Sequence, residues 1–271
     1  MPDETIGIIA GTSQFPILFA RAARARGLKV VAVAHKGETF PELEQEVDDI
    51  TWVQVGQLGK LLKFFKRRGV SRAVMCGGIK KTRMFKDVRP DLKALSLLNK
   101  LRHAADDNIL RSFARLMEDE GISILPSHEM VPELLAVQGV YTRRAPDEHE
   151  TADAKLGWEL AAELGKLDIG QCLVVHRRVV VAVEAVEGTD ACIRRGGELA
   201  GGRAVVVKRM KPTQDMRFDL PAVGTATVQT MIEAGASCLV IEAGRTLVFD
   251  RGEMVKKADA AGISITAWPG E

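Results

Sequence analysis

The residues best equipped for chemistry lie in one stretch, Lys208-Arg209-Met210-Lys211-Pro212-Thr213-Gln214-Asp215-Met216-Arg217-Phe218-Asp219-Leu220-Pro221-Ala222-Val223-Gly224-Thr225. Four cations and two carboxylates fall within the twelve residues from Lys208 to Asp219. A plain connector needs turn residues but rarely interleaved opposite charges. The mixture fits a site that grips something anionic and keeps a carboxylate for chemistry or for a metal. It fits equally a solvated loop whose charges pair with one another. A second group is Glu184, Glu187, Gly188-Thr189-Asp190 and Ile193-Arg194-Arg195. An acidic residue, a hydroxyl and an arginine this close can form part of a site, or Thr189 or Asp190 can simply cap a helix.

The elements that must position these residues follow from the hydrophobic pattern. Ile6 to Ala10 reads as a strand, Gly11-Thr12-Ser13 as a tight turn, Ile17 to Arg26 as a helix and Lys29 to Ala34 as the next strand. That order opens a parallel α/β sheet whose first turn faces a ligand, with helix N–H groups suited to phosphate. The turn lacks the second and third glycines of GxGxxG, so a dinucleotide fingerprint is not supported. Strands over Ile50 to Val55 and Ala73 to Cys76 flank a helix over Leu58 to Arg68, and Gly77-Gly78-Ile79-Lys80-Lys81 follows. Small residues after a buried strand let a ligand approach the backbone, and Lys80 adds charge there; a turn with solvated lysines is the plain alternative. Helical spacing returns at Asp91 to Leu101 and Asp106 to Glu120, where Asp106 and Asp107 suit a helix start. After a strand at Ile122 to Leu125 the periodicity stops, which predicts a domain over 1–130, a linker over 131–150 and a second domain over 151–271. In that second domain a helix spans Thr151 to Leu164, and a hairpin turns at His176-Arg177-Arg178. Short strands and helices then alternate to the end of the sequence, and Thr225 stands just before the helical pattern that begins near Thr227.

The 271 residues are 46% hydrophobic and 27% charged, an ordinary globular composition. A formal net charge of +2 gives no basis for nucleic-acid binding. Cys76, Cys172, Cys192 and Cys238 are scattered without a CxxC pair, which predicts reduced core thiols and a cytosolic protein. No basic-then-apolar leader and no run near 18 apolar residues is found, so neither export nor a membrane span is expected.

Several segments together are similar to the UDP-2,3-diacylglucosamine pyrophosphatase family of lipid A biosynthesis. They are Ile8-Ile9-Ala10-Gly11 with Phe15-Pro16, Ala105-Asp106-Asp107, His149-Glu150-Thr151-Ala152-Asp153 and Leu167-Asp168-Ile169-Gly170-Gln171. Further on come Ala182 to Ala191, Lys211-Pro212, Arg217-Phe218-Asp219-Leu220-Pro221 and Glu242-Ala243-Gly244-Arg245. The resemblance implies an N-terminal Rossmann-like domain, a C-terminal α/β domain and the lipid held between them. It implies hydrolysis of the diphosphate to UMP and 2,3-diacylglucosamine 1-phosphate (lipid X), with Mg2+, by water attack on the sugar-side phosphorus. The aspartate of the Arg-x-Asp-Leu-Pro motif is Asp219 here, expected to hold magnesium or take the water's proton. Asp190 is expected as the second metal carboxylate, since magnesium uses one or two carboxylates plus phosphate and water. Arg217, Lys211 and Arg194 are the expected phosphate grips, and Gln171, Thr189 and Thr225 the groups orienting sugar or nucleotide. Gly11, Thr12, Gly78, Lys80, Asp107, Glu187 and Gln214 complete the expected substrate-binding set. A cytoplasmic enzyme touching the inner-membrane surface, and a homodimer, go with the same resemblance. Two other classes stay open: an NADPH-dependent reductase on the first domain, and a non-catalytic module binding a nucleotide sugar.

Overall fold

The computed structural model describes residues 4–79, 90–95, 109–212, 214–218 and 220–270. By contacts the chain divides into one unit of Met1–Val131 with Asp215–Asp219, and another of Pro132–Gln214 with Leu220–Glu271.

The first unit is built on strands β1 (Thr5–Ala10), β2 (Lys29–His35), β3 (Asp49–Val53), β4 (Arg72–Cys76) and β5 (Ser123–Leu125). They form one parallel sheet in the order β3-β2-β1-β4-β5. β1 and β2 are each buried over five consecutive residues, as strands must be when both sheet faces are covered. Helices α1 (Phe15–Ala25), α2 (Leu58–Arg67) and α3 (Ile109–Asp119) accompany them. The strand order reverses at the β1–β4 pair, the place where open α/β sheets bind ligands. One core cluster joins Val31, Phe65, Met117 and Ile124 to Phe218, which arrives from far downstream. The Asp215–Asp219 segment thus groups with the first unit, so the expectation that Arg217 belongs with the C-terminal domain is corrected. The cause is Phe218, an apolar ring in a charged stretch that buries itself in this core.

The second unit contains β6 (Gly139–Val140), α4 (Glu148–Lys166), β7 (Cys172–His176), β8 (Val179–Val183), α5 (Thr189–Ala200) and β9 (Val205–Lys208). β10 (Ala222–Val223), α6 (Thr225–Glu233), β11 (Cys238–Ala243), β12 (Leu247–Val248), α7 (Arg251–Ala260) and β13 (Ser264–Pro269) follow. Six strands pair in the order β6-β13-β11-β9-β7-β8, while β10 and β12 form a separate parallel pair. β9, β11 and β13 are parallel, β7 is antiparallel to β9, and β8 is antiparallel to β7. The carboxyl ends of β8, β9, β11 and β13 therefore share one edge with the start of β7. Alternation along β9 sends Val205 and Val207 to a cluster with α4, and Val206 to a cluster with α5, α6 and α7. The hairpin between β7 and β8 turns on Arg177 and Arg178, both left-handed, and the Asp153 carboxylate accepts both backbone N–H groups at 2.9 and 2.6 Å. All four cysteines are free and buried.

From Pro132 on, the expected linker over 131–150 is a structured part of this second unit. Ala136 N–H donates to the Thr246 carbonyl, and β6 pairs with β13. Asp147 caps α4 in a reciprocal box with Glu150, at 2.8 and 2.9 Å. Arg144 donates two hydrogen bonds to the same Glu150 carboxylate at 2.6 and 3.0 Å, and the Ser237 hydroxyl donates a third at 2.6 Å. These anchors are polar and irregularly spaced, so no hydrophobic period announces them.

Candidate active site

At the carboxyl edge of the first sheet, two strand ends are tied by their own backbones. Gly11 N–H donates to the Cys76 carbonyl and Thr12 N–H to the Gly78 carbonyl, each at 2.8 Å. A Cβ on Gly11 would collide with the Gly78 carbonyl, and one on Gly77 with the Thr12 carbonyl. Gly77 also sits at φ +80°, where a side chain is strained. Gly78, by contrast, faces space with nothing within 4 Å. α1 begins just beyond, after Gln14; Phe15 N–H donates to the Ser13 hydroxyl at 3.2 Å, and the Ile17 and Leu18 N–H groups donate to the Gln14 carbonyl at 3.1 Å. The Gly11 and Thr12 N–H groups expected to meet a phosphate thus already have backbone acceptors, and Gly78 leaves open space beside them. Lys80 and Asp107, named for the same edge, lie outside the described residues.

The Asp215–Asp219 segment carries an ion-pair network. Arg217 Nη2 donates to Asp215 at 2.8 Å and its Nε at 3.1 and 3.2 Å, while Nη1 stands 3.5 Å from Glu118. The guanidinium also lies 4.9 Å from the centre of the Phe218 ring. The Arg217 hydrogen bond holds the Asp215 carboxyl below its ordinary range, and the same contact raises the Arg217 pKa. A phosphate would have to compete with Asp215 for this arginine. Asp219 lies outside the described residues.

At the carboxyl edge of the second sheet, strand register aligns Gln171, Arg209, Glu242 and Trp268 in one row. Lys208 faces both Cys172 and Ile241, Glu242 faces Trp268, and Arg209 N–H donates to the Gln171 carbonyl at 2.9 Å. Glu242 is fully buried and Arg209 is 5% exposed. The guanidinium stacks 4.7 Å over Trp158, donates to the Trp158 carbonyl at 3.2 Å and keeps its Nε 3.9 Å from Glu242. Glu242 accepts from Met210 N–H at 2.9 Å and from Arg245 at 3.3 Å. The Gln171 side-chain oxygen is buried without a partner. Lys211, two residues past Arg209, pairs with Asp168 at 2.6 Å, and its backbone bonds reciprocally with Gln214 at 3.0 and 3.3 Å.

The opposite side of that edge holds Glu184, Thr189 and Lys208. The Thr189 hydroxyl donates to Glu184 Oε1 at 3.1 Å, while Oε2 is sealed without a partner. Lys208 is buried and donates to the Ala222 carbonyl at 2.9 Å. Capping by Thr189 or Asp190 is not what the helix uses: Gly188 is the N-cap at φ +87°, and both residues lie in the first turn of α5. Glu187 accepts from Ala185 N–H at 3.0 Å and Arg195 at 2.6 Å; its own amide first, then Arg195, hold its carboxyl below the usual range. Arg194 is exposed and 3.6 Å from Glu233. Thr225 opens α6 directly after Gly224.

The edge thus gathers Gln171, Lys211 and Gln214 on one flank and Glu187, Thr189 and Asp190 at the start of α5. Glu184, Lys208, Arg209 and Glu242 are polar groups that the sequence reading left unassigned. Their signal was present, each being a charged residue ending or interrupting an apolar strand. For magnesium, Asp190 supplies an exposed oxygen donor with no ion-pair partner among the described residues. Among those residues no group of three or more His, Cys, Asp or Glu forms a metal cluster. That donor chemistry fits a metal held mainly by phosphate and water with one or two carboxylates.

Comparison with known proteins followed the same division of the chain. Residues 5–134 match the LpxI N-terminal domain family and residues 137–266 the LpxI C-terminal domain family. A curated relative from Caulobacter vibrioides (strain ATCC 19089 / CIP 103742 / CB 15), named UDP-2,3-diacylglucosamine pyrophosphatase LpxI, is 34% identical over 271 residues, covering 96% of each chain. Some solved structures also match, at lower identity. A multifunctional pyruvate carboxylase from Rhizobium etli matches at 16% identity and TM-score 0.29, over 52% of this chain and 14% of that one. Glycinamide-RNase-transformylase T from Mycobacterium tuberculosis matches at 15% identity and TM-score 0.26, over 67% of this chain and 44% of that one. Likenesses at those scores carry no argument. With both domain families present in order and a near full-length relative, this chain belongs to the LpxI family.

Proposed function

We propose that this chain hydrolyses the diphosphate of UDP-2,3-diacylglucosamine in lipid A biosynthesis, releasing UMP and 2,3-diacylglucosamine 1-phosphate. The observation that carries this is the relative bearing that activity in its name, 34% identical across 96% of both chains. In the reaction a water oxygen bonds to the sugar-side phosphorus, the bridging P–O bond breaks, and UMP leaves with the bridging oxygen. Two anionic phosphates must be neutralised and a water oriented, which backbone donors, cations and a divalent ion accomplish. Magnesium, when bound, supplies charge neutralisation at the phosphates. Asp190 and Asp219 are its proposed carboxylates, with Asp219 also proposed to take the water's proton. Lys211 and Arg217 grip phosphate on exchange of their present carboxylate partners, and Gly78 leaves room for a ligand beside the Gly11-Thr12 turn.

The two acyl chains suit an enzyme that meets its substrate at the cytoplasmic face of the inner membrane. Among the described residues no helix is long and apolar enough to cross a membrane, while Leu167, Ile169 and Val186 are exposed aliphatics flanking the second edge. The proposed homodimer rests on the family resemblance. A reductase finds no support in a first turn with Gly11 alone. The test is turnover: purified protein with magnesium converts UDP-2,3-diacylglucosamine to UMP, and chelation stops it. Absence of UMP under those conditions overturns the assignment.

A further inference from the structure

We propose that His35, at the end of β2, contacts the ribose of the substrate's uridine nucleotide, its ring Nε2 accepting a hydrogen bond from the 2′-hydroxyl. The inference rests on the hydrolase assignment above and adds where the nucleoside sits.

Three observations carry it. The first is position. Ala10 pairs with Ala34, so His35 stands beside Gly11 at the β1–β4 reversal of the sheet. In doubly wound sheets that bind nucleotides, the end of the strand next to the phosphate turn supplies the acceptor for ribose hydroxyls. Here that place holds an imidazole. The second is the ring's hydrogen bonding. His35 Nδ1 lies 2.9 Å from the Ala10 carbonyl, which also accepts from the Thr39 hydroxyl at 2.7 Å. A carbonyl only accepts, so Nδ1 carries the proton, and in the neutral ring Nε2 keeps a lone pair. Burial pushes the imidazole pKa down, opposed by the Ala10 carbonyl and by Glu38, which favours that neutral form. Nε2 has no hydrogen-bond partner among the described residues and is not a sealed atom. The third is rigidity. His35 N–H donates to Thr39 Oγ1 at 2.9 Å, and Glu38 and Thr39 N–H return to the His35 carbonyl at 3.1 and 3.0 Å. An acceptor held this way loses little entropy on binding.

The nucleotide, not the acylated sugar, suits this edge. Its polar groups are the His35 ring and strand-end backbone, whereas Leu167, Ile169 and Val186, the exposed aliphatics fitted to acyl chains, belong to the second unit.

The test is calorimetric titration of the full chain with UMP and with 2′-deoxy-UMP. Wild type is expected to bind UMP about tenfold more tightly, the worth of one hydrogen bond to a buried acceptor. His35→Asn keeps an amide able to donate to the Ala10 carbonyl but offers nothing at the Nε2 position, so it should bind both nucleotides equally. His35→Gln places an amide oxygen near Nε2 and should restore part of the preference. A purely structural histidine predicts no difference between the nucleotides in any form. Equal binding by wild type, retention of the preference in His35→Asn, or no measurable UMP binding overturns the inference. Turnover assayed in parallel separates the two proposals: a wild type that hydrolyses the lipid substrate yet ignores the 2′-hydroxyl sinks this one alone. A wild type that prefers UMP but releases none from the lipid sinks the hydrolase assignment instead.

Discussion

At the carboxyl edge of the first sheet the polar groups are mostly backbone, with Gly11 and Thr12 N–H tied to the Cys76 and Gly78 carbonyls and the His35 ring beside them. At the carboxyl edge of the second sheet they are charged side chains taken out of water, Arg209 and Glu242 on one side and Lys208 and Glu184 on the other. Both edges arise from parallel strands ending together, yet they fail differently. A backbone cradle depends on side chains being absent, so an added methyl group damages it and a changed surface charge does not. An edge of buried charges depends on each charge keeping its partner, because an ion left alone out of water costs more than the pair gains.

The largest expected effect is at the proposed proton acceptor. Asp219→Ala should lower turnover by about 10²–10⁴-fold, the usual worth of a positioned proton acceptor, with the melting temperature nearly unchanged. Near-wild-type turnover would remove Asp219 from the mechanism.

Next is the buried pair. Glu242→Gln leaves Arg209 short of its counter-charge and should cost about 3–5 kcal/mol in chemical denaturation. Arg209→Met combined with Glu242→Leu should recover most of it, since apolar residues fill such sites without desolvation cost. If the single substitution costs less than about 1 kcal/mol, solvent or another partner already satisfies Arg209 and the contrast between the edges weakens.

The backbone edge is tested by adjacent glycines. Gly77→Ala forces a side chain into a left-handed conformation, about 1–2 kcal/mol by itself, and drives its Cβ against the Thr12 carbonyl. Gly78→Ala meets nothing within 4 Å and should leave the melting curve where it was. Equal effects at the two positions would contradict the cradle.

The smallest effect concerns pH. Burial pushes the Glu150 carboxyl up, but Arg144, Ser237 and the Asp147 amide together hold it below its ordinary value of 4.5. A carboxylate whose folded pKa is depressed stabilises the fold above the unfolded value. That contribution is therefore complete above about pH 4.5 and is lost as pH falls through the folded value. Arg144→Ala should flatten the acid side of the stability profile; an unchanged profile would show that the capping box alone holds the charge.

Much of this was legible in the sequence, for identifiable reasons. The strands of both sheets are apolar runs of ordinary length, and the first turn at Gly11 and the hairpin at Arg177-Arg178 follow from local composition. Arg209 and Glu242 were visible as charges at the ends of apolar strands, but their pairing depends on register between β9 and β11, which no local pattern encodes. Phe218 was the clue that the Lys208–Thr225 stretch divides its contacts, and the charges around it obscured that clue. Residues 131–150 read as a linker because their anchors, Arg144, Asp147 and Glu150, are polar. Gly188 taking the cap of α5 freed Thr189 for Glu184, a choice between two hydrogen-bond partners that only the three-dimensional course of the chain decides.

The central claim is hydrolysis with water entering at the sugar-side phosphorus, and oxygen-18 water tests it most directly. With magnesium and UDP-2,3-diacylglucosamine, the account predicts one heavy oxygen in the phosphate of 2,3-diacylglucosamine 1-phosphate and none in UMP. Label found in UMP would contradict it.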